Sequence, residues 1–258
     1  VEIDGFFPIQ VDANAPTTEP AQYINITYQG ALDANGTRTL TIQADDGSSA
    51  NNLTSTTTTI NITAVNDAPV RNGTMPTLTV NEDSSNTNAV SLGLNVLTYG
   101  PGGGADETSQ TLTYTVTGVP PSITLWKPDG TTQVKSGDTL SLTELQGLMY
   151  KTVADANGTG NITWTVTDNG SSTSPNVNSI TETLAVTINS VNDAPTGTSK
   201  TIAIVQNGNK TFSSADFGFA DAADSPGNLP KVVIITTLPT AGTLEFYGNP
   251  VTANQSIA

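Results

Sequence analysis

Apolar and polar residues alternate in short stretches along much of the chain. In the stretch 161–166, for example, Ile162, Trp164 and Val166 share one phase, and the stretch 181–188 alternates in the same way. Alternation with a period of two predicts strands with one buried face, which places Trp164 in a core. Further strands are predicted at 39–44, 57–63, 78–80, 111–117, 123–126, 139–142 and 147–152.

The connections between these strands are rich in turn-forming residues. Asn-Gly or Asp-Gly pairs occur at 35–36, 46–47, 129–130 and 157–158, while Thr, Val, Ile and Asn are abundant and good helix formers are scarce. This composition predicts an all-β protein.

The chain contains a long internal repeat. The phrase Val-Asn-Asp-Ala-Pro occurs at 65–69 and at 191–195, 126 residues apart, and Asp-Ala-Asn-Gly-Thr occurs at 33–37 and at 155–159, 122 residues apart. A period of this length indicates repeated domains, and the Pro-terminated phrase is placed as a linker between them.

The linkers divide the chain into three predicted segments. Residues 70–195 hold about seven short strands, which fits one complete immunoglobulin-like sandwich. Residues 1–69 match only the later part of that unit, and residues 196–258 match only its earlier part. Both outer segments are therefore expected to be completed, either by continuation of the chain or by neighbouring subunits, because a half-sandwich leaves a strand edge uncovered.

Charge and composition exclude several classes of function. The net charge is −15, with 8 basic against 23 acidic residues, so nucleic acid is not an expected partner. The chain has no Cys and no His, which excludes disulfides, thiolate metal sites and His-based catalytic triads. Its longest purely aliphatic run, 232–235, is far too short to span a bilayer, so no membrane insertion is expected in this segment.

Two groups of acidic and amide residues recur in the same order around the two linkers. We call them the first acidic group (Asp33, Asn35, Asn66, Asp67, Asp106 and Glu107) and the second acidic group (Asp155, Asn157, Asn192, Asp193, Asp221 and Asp224). Ca²⁺ takes six to eight oxygen ligands from such side chains in adaptable geometry, so both groups are predicted calcium sites. The alternative for each Asp-x-Asn-Gly is an ordinary turn, since Asp, Asn and Gly all favour turns.

These motifs resemble the cadherin-like, immunoglobulin-like tandem repeats of large bacterial surface proteins and adhesins. The resemblance rests on the Val-Asn-Asp-Ala-Pro linkers, on Asn-Glu-Asp at 81–83, and on Asp-Ala-Asn-Gly-Thr followed by Ile-Thr-Trp-Thr-Val-Thr-Asp at 162–168. It covers nearly the whole chain and implies tandem β-sandwich domains in an elongated array, secreted or on the cell surface, with Ca²⁺ bound between successive domains.

The same resemblance implies that Glu82, at the base of the first strand of the middle repeat, joins the second acidic group. Two departures from the cadherin pattern imply weaker or fewer ions at each linker. Asn157 stands where a second carboxylate is usual, and the linker lacks the extra Asp that precedes Asn-Asp in animal cadherins.

Three functions follow as hypotheses. The first is a non-catalytic structural segment of an adhesin or surface filament, stiffened by Ca²⁺. The second is a module that binds a glycan or a protein through the long loop at 99–108, which contains Pro-Gly-Gly-Gly. The third is a spacer in a polysaccharide-active enzyme whose catalytic domain lies elsewhere, because no catalytic constellation is apparent in this segment.

Overall fold

A computed structural model describes residues 27–45, 49–50, 53–224 and 226–258. Residues 1–26 of the first predicted segment lie outside this range. The described residues form two compact units. The first unit comprises the described part of Val1–Arg71 with Tyr99–Leu112 and Thr167–Ile180, and the second comprises Asn72–Thr98, Thr113–Val166 and Thr181–Ala258.

The first unit contains a long antiparallel hairpin. Its strands, β1 (Gly36–Asp45) and β2 (Leu53–Ile62), pair over ten residues from Gly36 opposite Ile62 to Asp45 opposite Leu53. The strands predicted at 39–44 and 57–63 are therefore present. Leu40 and Ile42 lie on the same side of β1, as alternation requires, and each is 38% exposed.

The next strands along the chain range from two to eleven residues in length. They are β3 (Val70–Asn72), β4 (Leu78–Asn81), β5 (Val90–Ser91), β6 (Thr98–Gly100), β7 (Leu112–Gly118), β8 (Ile123–Trp126), β9 (Gln133–Val134), β10 (Thr139–Leu140), β11 (Met149–Thr152), β12 (Gly158–Asp168) and β13 (Ser179–Asn189). A short 3₁₀ helix, Leu94–Val96, precedes β6.

Most of these strands form two sheets. One has the order β10-β7-β12-β13-β4, and the other has the order β5-β11-β8-β9. In the first sheet β4 pairs in parallel with β13, with Leu78 opposite Val186, so an early strand of the second unit lies beside a late one. In the second sheet β11 pairs with β8 in antiparallel register.

Each sheet contributes one buried face to the core. Along β12 the side chains of Ile162, Trp164 and Val166 are at most 1% exposed, and Leu125 on β8 and Tyr150 on β11 are also buried. The predicted alternation and the core position of Trp164 are thus confirmed. Two sheets with one buried face each are what a layered all-β core requires, and the described part of the chain is all-β with almost no helix.

One predicted strand is partly wrong. The strand expected at 139–142 ends at Leu140, and the α-helix α1 (Leu142–Gln146) follows it. The Ser141 side chain accepts a hydrogen bond from the Glu144 backbone, and the Glu144 carboxylate accepts one from the Ser141 backbone. This capping box starts a helix where hydrophobic alternation alone suggested continued strand.

The chain after residue 195 contributes short elements to the second unit. They are a 3₁₀ helix at Ser214–Asp216 and the strands β14 (Val233–Ile235), β15 (Glu245–Phe246), β16 (Asn249–Pro250) and β17 (Gln255–Ile257). β14 pairs with β17, and β15 pairs with β16. The three predicted domain segments, with their boundaries at 69 and 195, stay a prediction.

Candidate calcium sites

The two Asp-Ala-Asn-Gly turns have the same backbone. Asp33 and Asp155 both adopt left-handed φ angles, 55° and 56°, and Gly36 and Gly158, which begin β1 and β12, also have positive φ. Asp tolerates this conformation better than most residues, because its short side chain bonds locally. The internal repeat therefore extends from sequence to local structure at the turns that carry the predicted ligands.

The centre of the first acidic group is Glu107. Its Oε1 accepts a hydrogen bond of 2.6 Å from the backbone N–H of Asp67, which orders the linker against the loop that holds Glu107. Its Oε2 is buried and has no hydrogen-bond partner among the described residues. Glu107 is 2% exposed, so this oxygen is cut off from bulk water. A buried carboxylate oxygen without a donor is costly unless a cation or ordered water meets it.

Neighbouring carboxylates add to this cost. Burial raises the pKa of Glu107 above its usual value, and the negative charges of Asp67, Asp106 and Asp168 raise it further, although the hydrogen bond from Asp67 lowers it. Carboxylates that lie close together in a buried site repel one another unless a cation binds between them. The electrostatics of the first acidic group therefore favour a bound cation.

A cavity of about 250 Å³ opens beside these groups. Asp33, Asn35, Asp67 and Asp106 line it, together with apolar residues that include Ile62 and Val65. Three stretches of chain distant in sequence, the Asp-Ala-Asn-Gly turn, the linker and the loop at 99–108, thus meet around one cavity.

Asn66 has a structural part in this group. Its side-chain amide donates to Asp168 Oδ1 at 3.2 Å and to the Val177 carbonyl at 2.8 Å, and its Oδ1 accepts from Gln110 Nε2 at 2.6 Å. These bonds hold the linker in place and engage the oxygen for which a ligand role was predicted. Asp168 Oδ2 and Gln110 Oε1 remain buried without partners among the described residues.

The second acidic group contains a compact trio of carboxylates. Oxygens of Asp83, Asp155 and Asp193 all lie within 4.8 Å of one another. Two oxygens that bind one Ca²⁺ at about 2.4 Å can be no more than about 4.8 Å apart, and the three oxygens meet this condition for sharing one ion. Asp193 Oδ2 is buried and has no hydrogen-bond partner among the described residues.

Burial is also the main cause that raises the pKa of Asp193. The charges of Asp83, Asp155, Asp224 and Glu82 contribute in the same direction. Each acidic group therefore contains a carboxylate that lies near other carboxylates and has one buried oxygen without a partner among the described residues, Glu107 in the first group and Asp193 in the second.

The downstream members of the second group are held by hydrogen bonds around Asn228. Its backbone N–H donates to Asp221 Oδ2, and its side-chain amide donates to Asp224 Oδ2 and to Asn192 Oδ1. Asp224 Oδ1 accepts from the backbone N–H of Asp193 at 3.0 Å, which parallels the bond from Asp67 to Glu107 in the first group. Asp221 Oδ1 is buried and unpartnered among the described residues.

Glu82 and Asn157 contact each other rather than an open position. Glu82 is 2% exposed, and its oxygens accept from the Val191 backbone and from the Asn157 side chain. Glu82 therefore connects Val191, the first residue of the second linker, to the turn that holds Asp155 and Asn157.

The predicted residues of each acidic group thus lie around its linker, and four further residues join them: Asp83, Asp168, Gln110 and Asn228. Asp83 could have been found as the neighbour of Glu82 in Asn-Glu-Asp, and Asp168 as the last residue of a repeated strand. Gln110 and Asn228 carry no such signal, because neither belongs to a repeated phrase.

The donor set suits calcium. Every candidate ligand offers a carboxylate or amide oxygen, and Ca²⁺ accepts such ligands in flexible numbers, whereas softer metals need Cys or His. Both groups also contain buried oxygens that have no hydrogen-bond partner in the part of the chain that the structure describes: Glu107 Oε2, Asp168 Oδ2, Asp193 Oδ2 and Asp221 Oδ1.

The loop at 99–108, predicted as a surface for a glycan or protein ligand, carries part of the first acidic group. Gly103 lies against Glu107 and Asp67, and Gly104 lies against Asp33 and Asp106. Ligand recognition by this loop stays a prediction, and Gly103 and Gly104 place the loop against candidate calcium ligands.

The chain was also compared with known proteins. No protein-family model matches it, and no curated protein gives a significant match. Within the part of the chain that the structure describes, no helix has the length and apolar character needed to cross a membrane.

Proposed function

We propose that this chain is a non-catalytic structural segment of an extracellular bacterial adhesin or surface filament, built from tandem cadherin-like β-sandwich repeats that Ca²⁺ stiffens at the linkers. The observation that carries the proposal is the pair of acidic groups around the two Val-Asn-Asp-Ala-Pro linkers, each with buried carboxylate oxygens that lack a partner among the described residues.

The mechanism follows from the charges. In the first acidic group, Asp33 before the linker, Asp67 within it and Asp106 after it line one cavity. Without a cation their carboxylates repel one another, so the three stretches of chain that carry them are pushed apart. A bound Ca²⁺ replaces that repulsion with attraction to a shared charge. Ion binding is therefore expected to convert a flexible linker into a stiff one.

The proposed partners are neighbouring repeats of the same chain or neighbouring subunits. A secreted or cell-surface location fits this role, because extracellular calcium sites work at concentrations of about 10⁻⁴–10⁻³ M, far above those in the cytosol. Nucleic acid is not proposed as a partner, since the net charge of −15 repels phosphate.

Small-angle X-ray scattering of the protein with calcium and with chelator tests the proposal. We expect a longer, better defined maximum dimension with calcium and a broader distance distribution after chelation. A variant with Glu107→Gln and Asp193→Asn, which neutralises one carboxylate in each acidic group, is expected to lose most of this difference. A wild-type scattering profile that does not respond to calcium would contradict the proposed stiffening.

A further inference from the structure

The glycine run of the loop at 99–108 lies directly on the first acidic group. A Cβ atom placed on Gly103 would be 2.5 Å from Glu107 Oε2 and 2.7 Å from Asp67 Oδ2. Both distances are shorter than any ordinary contact between a methyl carbon and an oxygen. The two carboxylates therefore occupy space that any side chain at position 103 would need.

The neighbouring glycines have a different role. A Cβ atom on Gly102 would lie 2.3 Å from the Ala68 carbonyl oxygen, and one on Gly104 would lie 2.6 Å from the Asp33 carbonyl oxygen. Substitution at either position would push against backbone, and Gly102 also has a φ of 106°, which side chains rarely adopt. These two glycines therefore allow the close backbone contacts of the loop.

Gly103 differs from them in two respects. Its closest neighbours are carboxylate ends, and its φ lies outside the left-handed region, so alanine adds no backbone strain there. Glu107 cannot simply turn away, because its Oε1 is bound to the Asp67 backbone and its side chain is buried. A methyl group at position 103 therefore displaces the carboxylate oxygens of Glu107 and Asp67 while leaving every charge in the protein unchanged.

We infer that Gly103 is a positioning residue of the first acidic group, whose missing side chain lets Glu107 and Asp67 converge on one cation and so sets the affinity of that site. This inference rests on the proposed function, since it assumes that calcium binds there. It adds to that function a residue that has no side chain and therefore supplies no side-chain ligand to the ion. Loss of a group that orients metal ligands typically weakens metal binding by about 10- to 100-fold.

Calcium titration calorimetry on the full chain tests the inference in an Asp193→Asn background, which isolates the first acidic group by disabling the second. Gly103→Ala is expected to weaken calcium binding by about 10- to 100-fold. Gly100→Ala is the matched control, because a Cβ atom there meets nothing within 4 Å, and it should bind like its parent. Circular dichroism without calcium should show the same fold for all three proteins.

A double-mutant cycle with Glu107→Gln separates positioning from a general effect on the loop. If Gly103 acts through Glu107, the two substitutions together weaken binding by less than the product of their separate effects. Independent effects in this cycle would overturn the inference, and so would an unfolded Gly103→Ala variant, which would assign Gly103 to the fold.

The outcomes also separate this inference from the proposed function. Equal calcium affinity of Gly103→Ala and its parent would overturn the positioning role while leaving calcium binding intact. Calcium binding by the wild type but not by the Asp193→Asn protein would overturn it by showing that only the second group binds the ion. A wild type that binds no calcium would overturn both.

Discussion

Replacing Glu107 with glutamine is expected to stabilise the calcium-free protein and to weaken its response to calcium. Glu107 is 2% exposed, one of its oxygens has no partner among the described residues, and burial together with three nearby carboxylates raises its pKa. Glutamine keeps an oxygen that can accept from the Asp67 backbone, and its amide can donate to the carboxylates around it. The substitution therefore removes a cost in the calcium-free state and a ligand in the calcium-bound state.

The expected changes in stability and in calcium affinity follow from the burial and the charge of Glu107. An unsatisfied buried polar group costs about 1–3 kcal/mol, and two like charges 4 Å apart repel by about 4 kcal/mol at an effective dielectric constant of 20. Because the other carboxylates can move apart, we expect the free energy of unfolding without calcium to rise by about 1–3 kcal/mol. Loss of one carboxylate ligand should weaken calcium binding at least about tenfold, or about 1.4 kcal/mol.

Urea denaturation with chelator and with calcium measures both changes. Glu245→Gln is the control, because Glu245 is exposed on β15, outside both acidic groups, and should alter neither quantity. The reasoning is refuted if Glu107→Gln destabilises the calcium-free protein, or if calcium stabilises this variant as much as the wild type.

Three further predictions concern other parts of the two groups. Asp83→Asn should weaken calcium binding at the second group about tenfold in a calorimetric titration, and an unchanged affinity would remove Asp83 from that site. Asn66→Ala should lower the free energy of unfolding by about 1–3 kcal/mol in urea, because it removes the amide that donates to Asp168 and Val177 and the oxygen that accepts from Gln110; an unfolding midpoint equal to that of the wild type would contradict this. Because the pKa values of Glu107 and Asp193 are raised, their ionisation destabilises the calcium-free fold at pH 7, and this cost disappears as pH falls through the raised values towards those of the unfolded chain. The gain in melting temperature from calcium should therefore be smaller at pH 5 than at pH 7. A larger gain at pH 5 would contradict the conclusion that ionisation of these two groups destabilises the calcium-free fold.

Structural features that depend only on residues close together in sequence were predictable from the sequence. The alternation of Ile162, Trp164 and Val166 placed one face of β12 in the core, because side chains alternate between the two faces of any strand. The two Asp-Ala-Asn-Gly phrases adopt the same turn, because Asp and Gly allow the backbone angles that this turn requires. The start of α1 at Leu142 was also present locally, in Ser141 and Glu144, but the strand pattern before it concealed that signal.

The composition of the acidic groups was decided by the tertiary structure. Asn66 bonds to Asp168, 102 residues away, and Asp83 approaches Asp155 and Asp193, which lie far along the chain. The repeat indicated which stretches should meet but could not tell a ligand from a positioning residue, because that depends on which oxygens find hydrogen-bond donors after folding. The sequence by itself thus determined the strands, the turns and the acidic linkers, and packing decided which carboxylates are buried, crowded and without partners.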